Sequence, residues 1–436
     1  MEQNKTMRAA VASLGCKVNS YEAQGMQELL QQAGYEIVDI EDEADVYLIN
    51  TCTVTQIAAR KSRQLLHRIR HQNPEALLIA AGCYVEQDSR LVDEGVVDLI
   101  LPNRRKKDLL TVLEAYRTGK NAHQALEEAP QDAGDLFITA QEGRTRAFLK
   151  VQDGCRQFCS YCIIPYVRGP LYSKPLEDCR REAEGLARKG YHEIVLTGIH
   201  LSSYGRGLAY DLGDLINAVQ EIPEVRRIRL GSMEPRMITE DFLQKIVQAD
   251  KLCPHFHLSL QSGSNATLKA MNRHYTAEEY ARAAQLLRRQ YPVTALTTDV
   301  IVGFPGETEE QHAESLEFVK KLGFAQVHVF RYSRREGTAA DKMPGQVDEK
   351  IKRRRSEEML AVAAAGEEAY EKSRLGQRAE VLLEERDPET GLWMGHTTDY
   401  LKVGLELPGD NQGRFLTVTL AEAARSTKER YIRGSL

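Results

Sequence analysis

Two runs of alternating strand and helix signals, separated by a polar stretch, constrain this chain more than any other feature. In the first run, apolar segments at 7–14, 46–50, 77–81 and 97–101 read as strands. A helix is predicted over 18–33, with apolar residues at Val18, Tyr21, Met26, Leu29, Leu30 and Ala33, and Gly34 placed to end it. The next helix carries Arg60, Lys61, Arg63, Arg68 and Arg70. Strand then helix, repeated, needs crossover connections, so the strands are predicted to lie parallel with helices on both faces. Cys16 follows the first strand, Cys52 the second and Cys83 the third. In an open parallel sheet those places are carboxyl ends on one edge, where such folds put ligands. The three thiols are therefore expected to converge. A single free cysteine is as readily a small buried hydrophobe, but three at equivalent loop positions favour a shared role.

A polar connector at 121–143 separates this region, 1–120, from a second run over 144–371. Its strand candidates are 147–151, 193–197, 226–231, 255–260, 296–302 and 325–330, each separated by a helical stretch. Two of the helices open with capping boxes, Thr276 with Glu279 and Thr308 with Gln311. Six such units predict a partial (β/α)6 TIM-like barrel with its chemistry at the carboxyl ends of the strands. Over 372–436 the pattern changes to short alternating segments, AEVLLEE, GLWMGHT, YLKVGLEL and RFLTVTL, which read as a small antiparallel β-barrel. The fold class is thus α/β, with a small β domain at the end.

Composition narrows the setting. The 436 residues carry a formal charge of −5, so any nucleic-acid binding must come from local basic patches. No run of 18 apolar residues occurs, and the start MEQNKTMRAA lacks an apolar signal segment. A cytoplasmic protein without membrane contact is expected, and in that compartment eight cysteines argue against a disulfide framework.

The most specific motif is QDGCRQFCSYCIIPYVRG, which spaces Cys155, Cys159 and Cys162 as C-x3-C-x2-C. Such a loop can wrap three thiolates around one corner of a cubane cluster. A four-iron cluster needs four ligands, and the next cysteine, Cys179, lies beyond Pro170 and Pro175. One iron would stay open at a barrel mouth, as a place for a small molecule to bind. Structural zinc is the plainer alternative, but it prefers paired C-x2-C units or a nearby His, and neither is present.

This loop, with aromatic Tyr161 before its last cysteine, resembles the signature of radical S-adenosylmethionine enzymes. In that superfamily S-adenosylmethionine chelates the open iron and is cleaved to methionine and a 5′-deoxyadenosyl radical. The three further cysteines, and a C-terminal barrel resembling a TRAM domain, narrow the resemblance to methylthiotransferases over essentially the whole chain. The stretches SLGCKVNSYEAQGM, INTCTVT and AAGCY each match a family motif. The resemblance therefore implies two [4Fe-4S] clusters, an auxiliary one on Cys16, Cys52 and Cys83 and the radical-generating one on Cys155, Cys159 and Cys162. It also implies S-adenosyl-L-methionine, an electron donor of flavodoxin or ferredoxin type, and a sulfur donor.

Lys17, Val18 and Asn19 after the first cysteine are most similar to the branch acting on N6-threonylcarbamoyladenosine of tRNA, beside the anticodon. The isopentenyladenosine branch has Gln-Met-Asn there, and the branch acting on a ribosomal protein Pro-Lys-Asn. Those two acceptors are the alternatives within the class. A non-catalytic RNA-binding protein with structural metal centres is the alternative outside it.

Further site residues follow from the strand ends. IVGFPGETEE, with Gly303, Pro305 and Gly306, is expected to form a wall of the S-adenosylmethionine site, though a Gly-Pro turn before a capped helix is commonplace. Thr197 and Gly198 end the second strand, where the superfamily binds the cofactor's amino group, and Glu234 follows the third. Ser259 and Gln261 share a strand face, with Leu258 and Leu260 opposite. Cys179 and Cys253 match no cluster motif and read as ordinary buried cysteines. For RNA, residues 331–355 carry nine basic and four acidic groups, and 57–74 five basic and none acidic. Arg60, Lys61, Arg334, Arg335, Arg353 and Arg354 are the phosphate-contact candidates, against the common alternative of a solvated helix face. Trp393, Tyr400 and Phe415 could stack on bases or form the small barrel's core.

Overall fold

The computed structural model describes residues 6–86, 90–130, 135–427 and 429–436. The first region is a five-stranded parallel sheet of β1 (Arg8–Ser13), β2 (Glu36–Val38), β3 (Val46–Thr51), β4 (Leu77–Gly82) and β5 (Leu99–Leu101), in the order β2-β1-β3-β4-β5. The central strands are buried on both faces, which is why they read as unbroken apolar runs. Met26, Leu30, Leu48, Ile79 and Leu109 pack one face, while Tyr47, Ile49, Leu66, Ile69 and Leu78 pack the other. The edge strand β2 escaped the sequence reading because three residues are too few to show a period. Among the described residues no helix is long and apolar enough to cross a membrane.

The second region holds β6 (Arg146–Asp153), β7 (Tyr172–Ser173), β8 (Glu193–Gly198), β9 (Arg227–Leu230), β10 (His255–His257), β11 (Ala295–Val302) and β12 (Gln326–Arg331). Strands β7-β6-β8-β9 form one sheet and β10-β11-β12 another. Met233 joins them: its amide donates to His257 O at 2.9 Å, and its carbonyl accepts from the Ser259 amide at 3.0 Å. All six predicted strands are present on one curved parallel wall, with the two-residue β7 added antiparallel to β6. The strand predicted over 255–260 stops at His257. Beyond it Gln261 takes φ +67°, and only isolated bridges at Leu258 and Gln261 continue the pairing. Both predicted capping boxes form.

A 26-residue helix, Glu349–Arg374, leads to the last region: β13 (Arg378–Arg386), β14 (Trp393–Thr397), β15 (Lys402–Leu405), β16 (Phe415–Arg425) and β17 (Arg430–Ser435). These close in the order β13-β14-β15-β17-β16, with β17 additional to the four strands read from sequence. The ring is not wholly antiparallel, because β15 and β17 pair in parallel. Trp393 belongs to its core and its indole N–H donates to Gly409 O at 3.1 Å.

The ring plugs the amino end of the strand wall through buried charge. Glu193 at the start of β8 is fully buried and accepts from Arg229 Nε at 2.6 Å and Arg227 Nη1 at 3.3 Å. The same guanidinium groups donate to ring carbonyls: Arg227 to His396 and Glu380, Arg229 to Thr397 and Thr398. Tyr400 stacks on His255 and His396, and Phe415 lies under Arg226 at 4.0 Å. Neither ring is therefore free to receive a base. Burial alone would raise the Glu193 carboxyl, but Arg229, Arg146 and Arg227 outweigh it and hold it below the usual range. Glu193→Gln is expected to cost about 3–5 kcal/mol in urea unfolding, by leaving two buried guanidinium groups short of their anion. Because the folded-state pKa is depressed, the Glu193 contribution is present above the ordinary carboxylate range and declines as pH falls through the folded value.

Candidate active site

The first cysteine triad sits on the carboxyl edge of the parallel sheet. Cys16 caps the helix Lys17–Gln32, Cys52 follows β3 and Cys83 follows β4. Close backbone approach makes this possible at two glycines. A Cβ on Gly15, at φ +105°, would stand 2.5 Å from Cys52 Sγ, and one on Gly82, at φ +93°, 2.3 Å from Thr51 O. The Cys83 amide then donates to Thr51 O at 3.1 Å, and the Cys52 amide to Ser62 Oγ at 3.0 Å. Burial, with the neighbouring thiols adding to it, pushes the Cys52 thiol up.

The second triad follows β6. Gly154 turns the chain at φ +73°, and Phe158, between Cys155 and Cys159, takes φ +48°. That conformation costs a non-glycine residue about 1–2 kcal/mol. It is held by Asn272, whose amide donates to Phe158 O at 2.9 Å. Ser160 fastens the loop on both sides, its amide donating to Met271 O at 3.0 Å and its carbonyl accepting from the Ala340 amide at 2.7 Å. Arg273 Nη1 donates to Cys159 Sγ at 3.2 Å. Tyr161 packs edge-on against Phe304. Burial pushes the Cys162 thiol up to about 12.

The two triads face one another across a thin layer of side chains. Cys83 packs against Ile163 and Val167, the residues just beyond Cys162. Arg168, in the short helix Ile164–Arg168, donates from Nε to Cys83 Sγ at 3.1 Å and from Nη1 to Glu22 at 2.6 Å and Asp153 at 3.3 Å. Its other nitrogen donates to Asn19 Oδ1. Glu22 is also paired with Lys106 and with Lys150 at 2.9 Å. Burial opposes ionisation of Glu22, yet Arg168, Lys106 and Lys150 hold its carboxyl well below the usual range. Arg335 also reaches the cysteines. Its Nη1 donates to Thr53 Oγ1 at 3.0 Å, its Nη2 is buried without a hydrogen-bond partner, and Cys52, Cys162 and Cys83 all act on its charge.

The donor set suits iron–sulfur clusters better than single ions. Three thiols per site leave one corner of a four-iron cluster without a protein ligand.

Comparison with known proteins agrees with this geometry. Residues 149–319 match the Radical SAM superfamily, and residues 8–102 match a family described as Uncharacterized protein family UPF0004. The Threonylcarbamoyladenosine tRNA methylthiotransferase MtaB of Bacillus subtilis (strain 168) is 37% identical over 422 residues, covering 95% of this chain and 94% of the relative. The chain belongs to the radical S-adenosylmethionine methylthiotransferases. A tRNA-2-methylthio-N(6)-dimethylallyladenosine synthase of Clostridium botulinum (strain Eklund 17B / Type B) in the same family is 33% identical, covering 97% and 95%. In fold, the chain is similar to the radical S-adenosylmethionine methyltransferase TsrM of Kitasatospora setae. That match has a TM-score of 0.59 at 14% identity and covers 77% of each chain.

Methylthiotransferase membership implies a [4Fe-4S] cluster and S-adenosylmethionine, and several of the expected cofactor residues gather beside the second triad. Glu234 accepts from Gln157 Nε2 at 2.9 Å and faces His200 Nε2 at 3.3 Å, while its Oε1 is buried without a hydrogen-bond partner. Thr197 is buried at the end of β8, and Gly198 leaves room for Gln152, whose Oε1 accepts from the His200 amide at 2.7 Å. Ser259 and Gln261 border the same end, where the Gln261 amide donates to Asp299 O at 2.8 Å. At Gly303 the space a Cβ would take is filled by Lys352. Pro305 is buried beside it.

The expected RNA-contact residues divide. Arg60, Lys61 and Arg353 are exposed. Arg334 pairs with Asp341, and Arg354 with Glu309 and Glu358. Arg335 is largely buried, beside the cysteines at the floor of a cleft. Arg60, Arg63, Arg90, Arg335 and Glu336 line a cleft of about 780 Å³ that opens beside Thr53. Cys179 and Cys253 are buried, as expected.

Sequence reasoning did not reach Arg168, Arg273 or Glu22, because nothing local distinguishes them from surface charges. Arg168→Met is expected to lower stability by about 3–5 kcal/mol in denaturant unfolding, because it leaves part of the buried carboxylate charge of Glu22 and Asp153 unpaired. Removing the acid as well, in Arg168→Met with Glu22→Gln, should recover part of that loss in a double-mutant cycle.

Proposed function

We infer that the protein is a tRNA methylthiotransferase that replaces the hydrogen on carbon 2 of N6-threonylcarbamoyladenosine, at position 37 beside the anticodon, with a methylthio group. The observation that carries this reading is the pair of three-thiol sites facing one another across the Arg168 and Arg335 layer. Relatives named for the threonylcarbamoyladenosine substrate are 35–38% identical over most of the chain, which supports that nucleoside over dimethylallyladenosine.

In this reading Cys155, Cys159 and Cys162 hold the radical-generating cluster, and Cys16, Cys52 and Cys83 the auxiliary one. Bound together with S-adenosylmethionine, the clusters supply a radical able to take an unactivated hydrogen and a sulfur to put in its place, chemistry beyond any side-chain acid or base. The protein's own part is placement. Glu234 offers an ionised carboxylate, its Oε1 free of hydrogen bonds and 3.8 Å from Arg273, to the amino group of S-adenosylmethionine, and Thr197, Gly198, Ser259, Gln261 and Tyr161 are the further candidates for contact with it. Arg273 and Arg168 donate to one thiol in each triad and fix its direction. The arginine cleft beside Thr53 and exposed Arg60, Lys61 and Arg353 suit the phosphates of an anticodon stem-loop.

The domains in this reading are an auxiliary-cluster domain at 1–120, a radical domain at 144–371 and a TRAM-like RNA-binding ring at 372–436. An electron donor and a sulfur donor complete the system. Two measurements test it. Anaerobic reconstitution should load about eight irons per chain, halving when Cys155, Cys159 and Cys162 are changed to Ala. Four irons in the intact chain, unchanged by Cys16→Ala, would exclude two clusters. In tRNA from a strain lacking the gene, 2-methylthio-N6-threonylcarbamoyladenosine should vanish and its unthiolated precursor accumulate. Accumulation of isopentenyladenosine instead would assign the other substrate.

A further inference from the structure

Alternation along the strands sorts the wall of the partial barrel into two faces. Leu149, Ile194, Leu196, Ile228, Phe256 and Val300 turn outward to the helices and form the main apolar core. The opposite face, which lines the lumen, is polar. At mid-height it presents Phe148 on β6, His257 on β10, Asp299 on β11 and His328 on β12. His257 faces Asp299 at 3.3 Å and Thr297 Oγ1 at 3.0 Å, and one ligand atom from each of His257, Asp299 and His328 lies within 4.8 Å of the others.

Lys17 reaches this space from outside the barrel. It is the residue directly after Cys16 and the first of the helix Lys17–Gln32. Its ammonium lies 5.7 Å from the centre of the Phe148 ring, whose neighbourhood it shares with Arg144 at 4.8 Å. Its charge acts on both His255 and His328 across the lumen. Arg144, Arg146 and Arg229 add positive charge around it, the last two already holding Glu193 and Glu384, while the one carboxylate described on the facing wall, Asp299, is engaged by His257. Among the described residues no carboxylate pairs with Lys17. Lys17 is exposed to solvent, so its ammonium is available to an anion from outside the protein, and the cations around it favour one. The same positive charge opposes a metal ion at His257, Asp299 and His328, so that trio suits a polar organic ligand.

Resting on the substrate reading above, we propose that Lys17 is a specificity-determining residue, pairing its ammonium with the carboxylate of the threonylcarbamoyl substituent inside the lumen. His257, Asp299 and His328 then offer donors and acceptors to the substituent's hydroxyl and ureido groups. Position suits the role: the residue bearing the ammonium adjoins an auxiliary thiol, so a substituent held by Lys17 keeps its own base near that triad. An apolar isopentenyl group in the same place would strip water from the ammonium and return no partner.

The test compares two anticodon stem-loop RNAs bound to the reconstituted full-length enzyme by fluorescence anisotropy. One carries N6-threonylcarbamoyladenosine, the other the same nucleoside with its carboxylate replaced by a neutral carboxamide. Wild-type protein should prefer the acid by roughly tenfold or more, the worth of one charge-assisted contact. Lys17→Met should abolish that preference at unchanged iron content, and Lys17→Arg should restore most of it. A wild type indifferent to the amide, or a Lys17→Met protein that keeps the preference, overturns the proposal. Failure of the substrate reading is distinct: wild-type enzyme would then leave the threonylcarbamoyl RNA unconverted, whatever residue stands at position 17.

Discussion

The buried guanidinium of Arg168 is the interaction on which the rest of this architecture depends. It touches three acceptors from the N-terminal sheet region, Asn19, Glu22 and Cys83, and one from the barrel, Asp153. A charge removed from water this completely is tolerable only where every donor is met, so one relative placement of the two regions satisfies it. Lys106 and Lys150 close the same network around Glu22, one from each region. The consequence is chemical: Arg168 lies six residues past Cys162 and its Nε meets Cys83, so the alignment of the regions is also the alignment of the two thiol sites.

A second buried charge cluster closes the other end. Glu193 gathers Arg227 and Arg229, whose guanidinium groups also donate to backbone carbonyls of the C-terminal ring. Apolar packing would join ring and barrel without fixing rotation, whereas directional bonds to four carbonyls fix it. With the floor sealed in this way, the lumen is reached from the thiol end. Its polar wall and the Lys17 ammonium then face whatever is admitted there. One helix start thus supplies a thiol at Cys16, a lumen cation at Lys17 and a partner for Arg168 at Asn19.

Much of this was legible along the chain. The alternation of strand and helix predicted the parallel sheet and the six-strand wall, because runs buried on both faces leave an unmistakable apolar signature. Convergence of Cys16, Cys52 and Cys83 followed from their equivalent places after β1, β3 and β4. Short edge elements did not show: β2 and β7 have three residues and two. Basic character did not show that Arg335, grouped with surface phosphate contacts, is largely buried in the cleft beside Cys52, Cys83 and Cys162. At Gly303 sequence could not show that Lys352 fills the space a Cβ would take, since a close approach to a side chain and one to a ligand ask for the same residue.

The sequence by itself determined the inventory: three thiols after three strands, three more in one loop, and a chain able to build the sheet, wall and ring that carry them. Those features are local, written in periodicity and spacing over a few residues. Only the tertiary structure decided which charges are structural and which remain available, because that depends on burial and on partners far away in sequence. Arg168 meets Glu22 across 146 residues, Arg335 meets Thr53 across 282, and Lys17 meets Phe148 only once the sheet region is docked against the barrel. Electrostatic energy falls with distance in space and not along the chain. The roles of these cations therefore come into being with the fold.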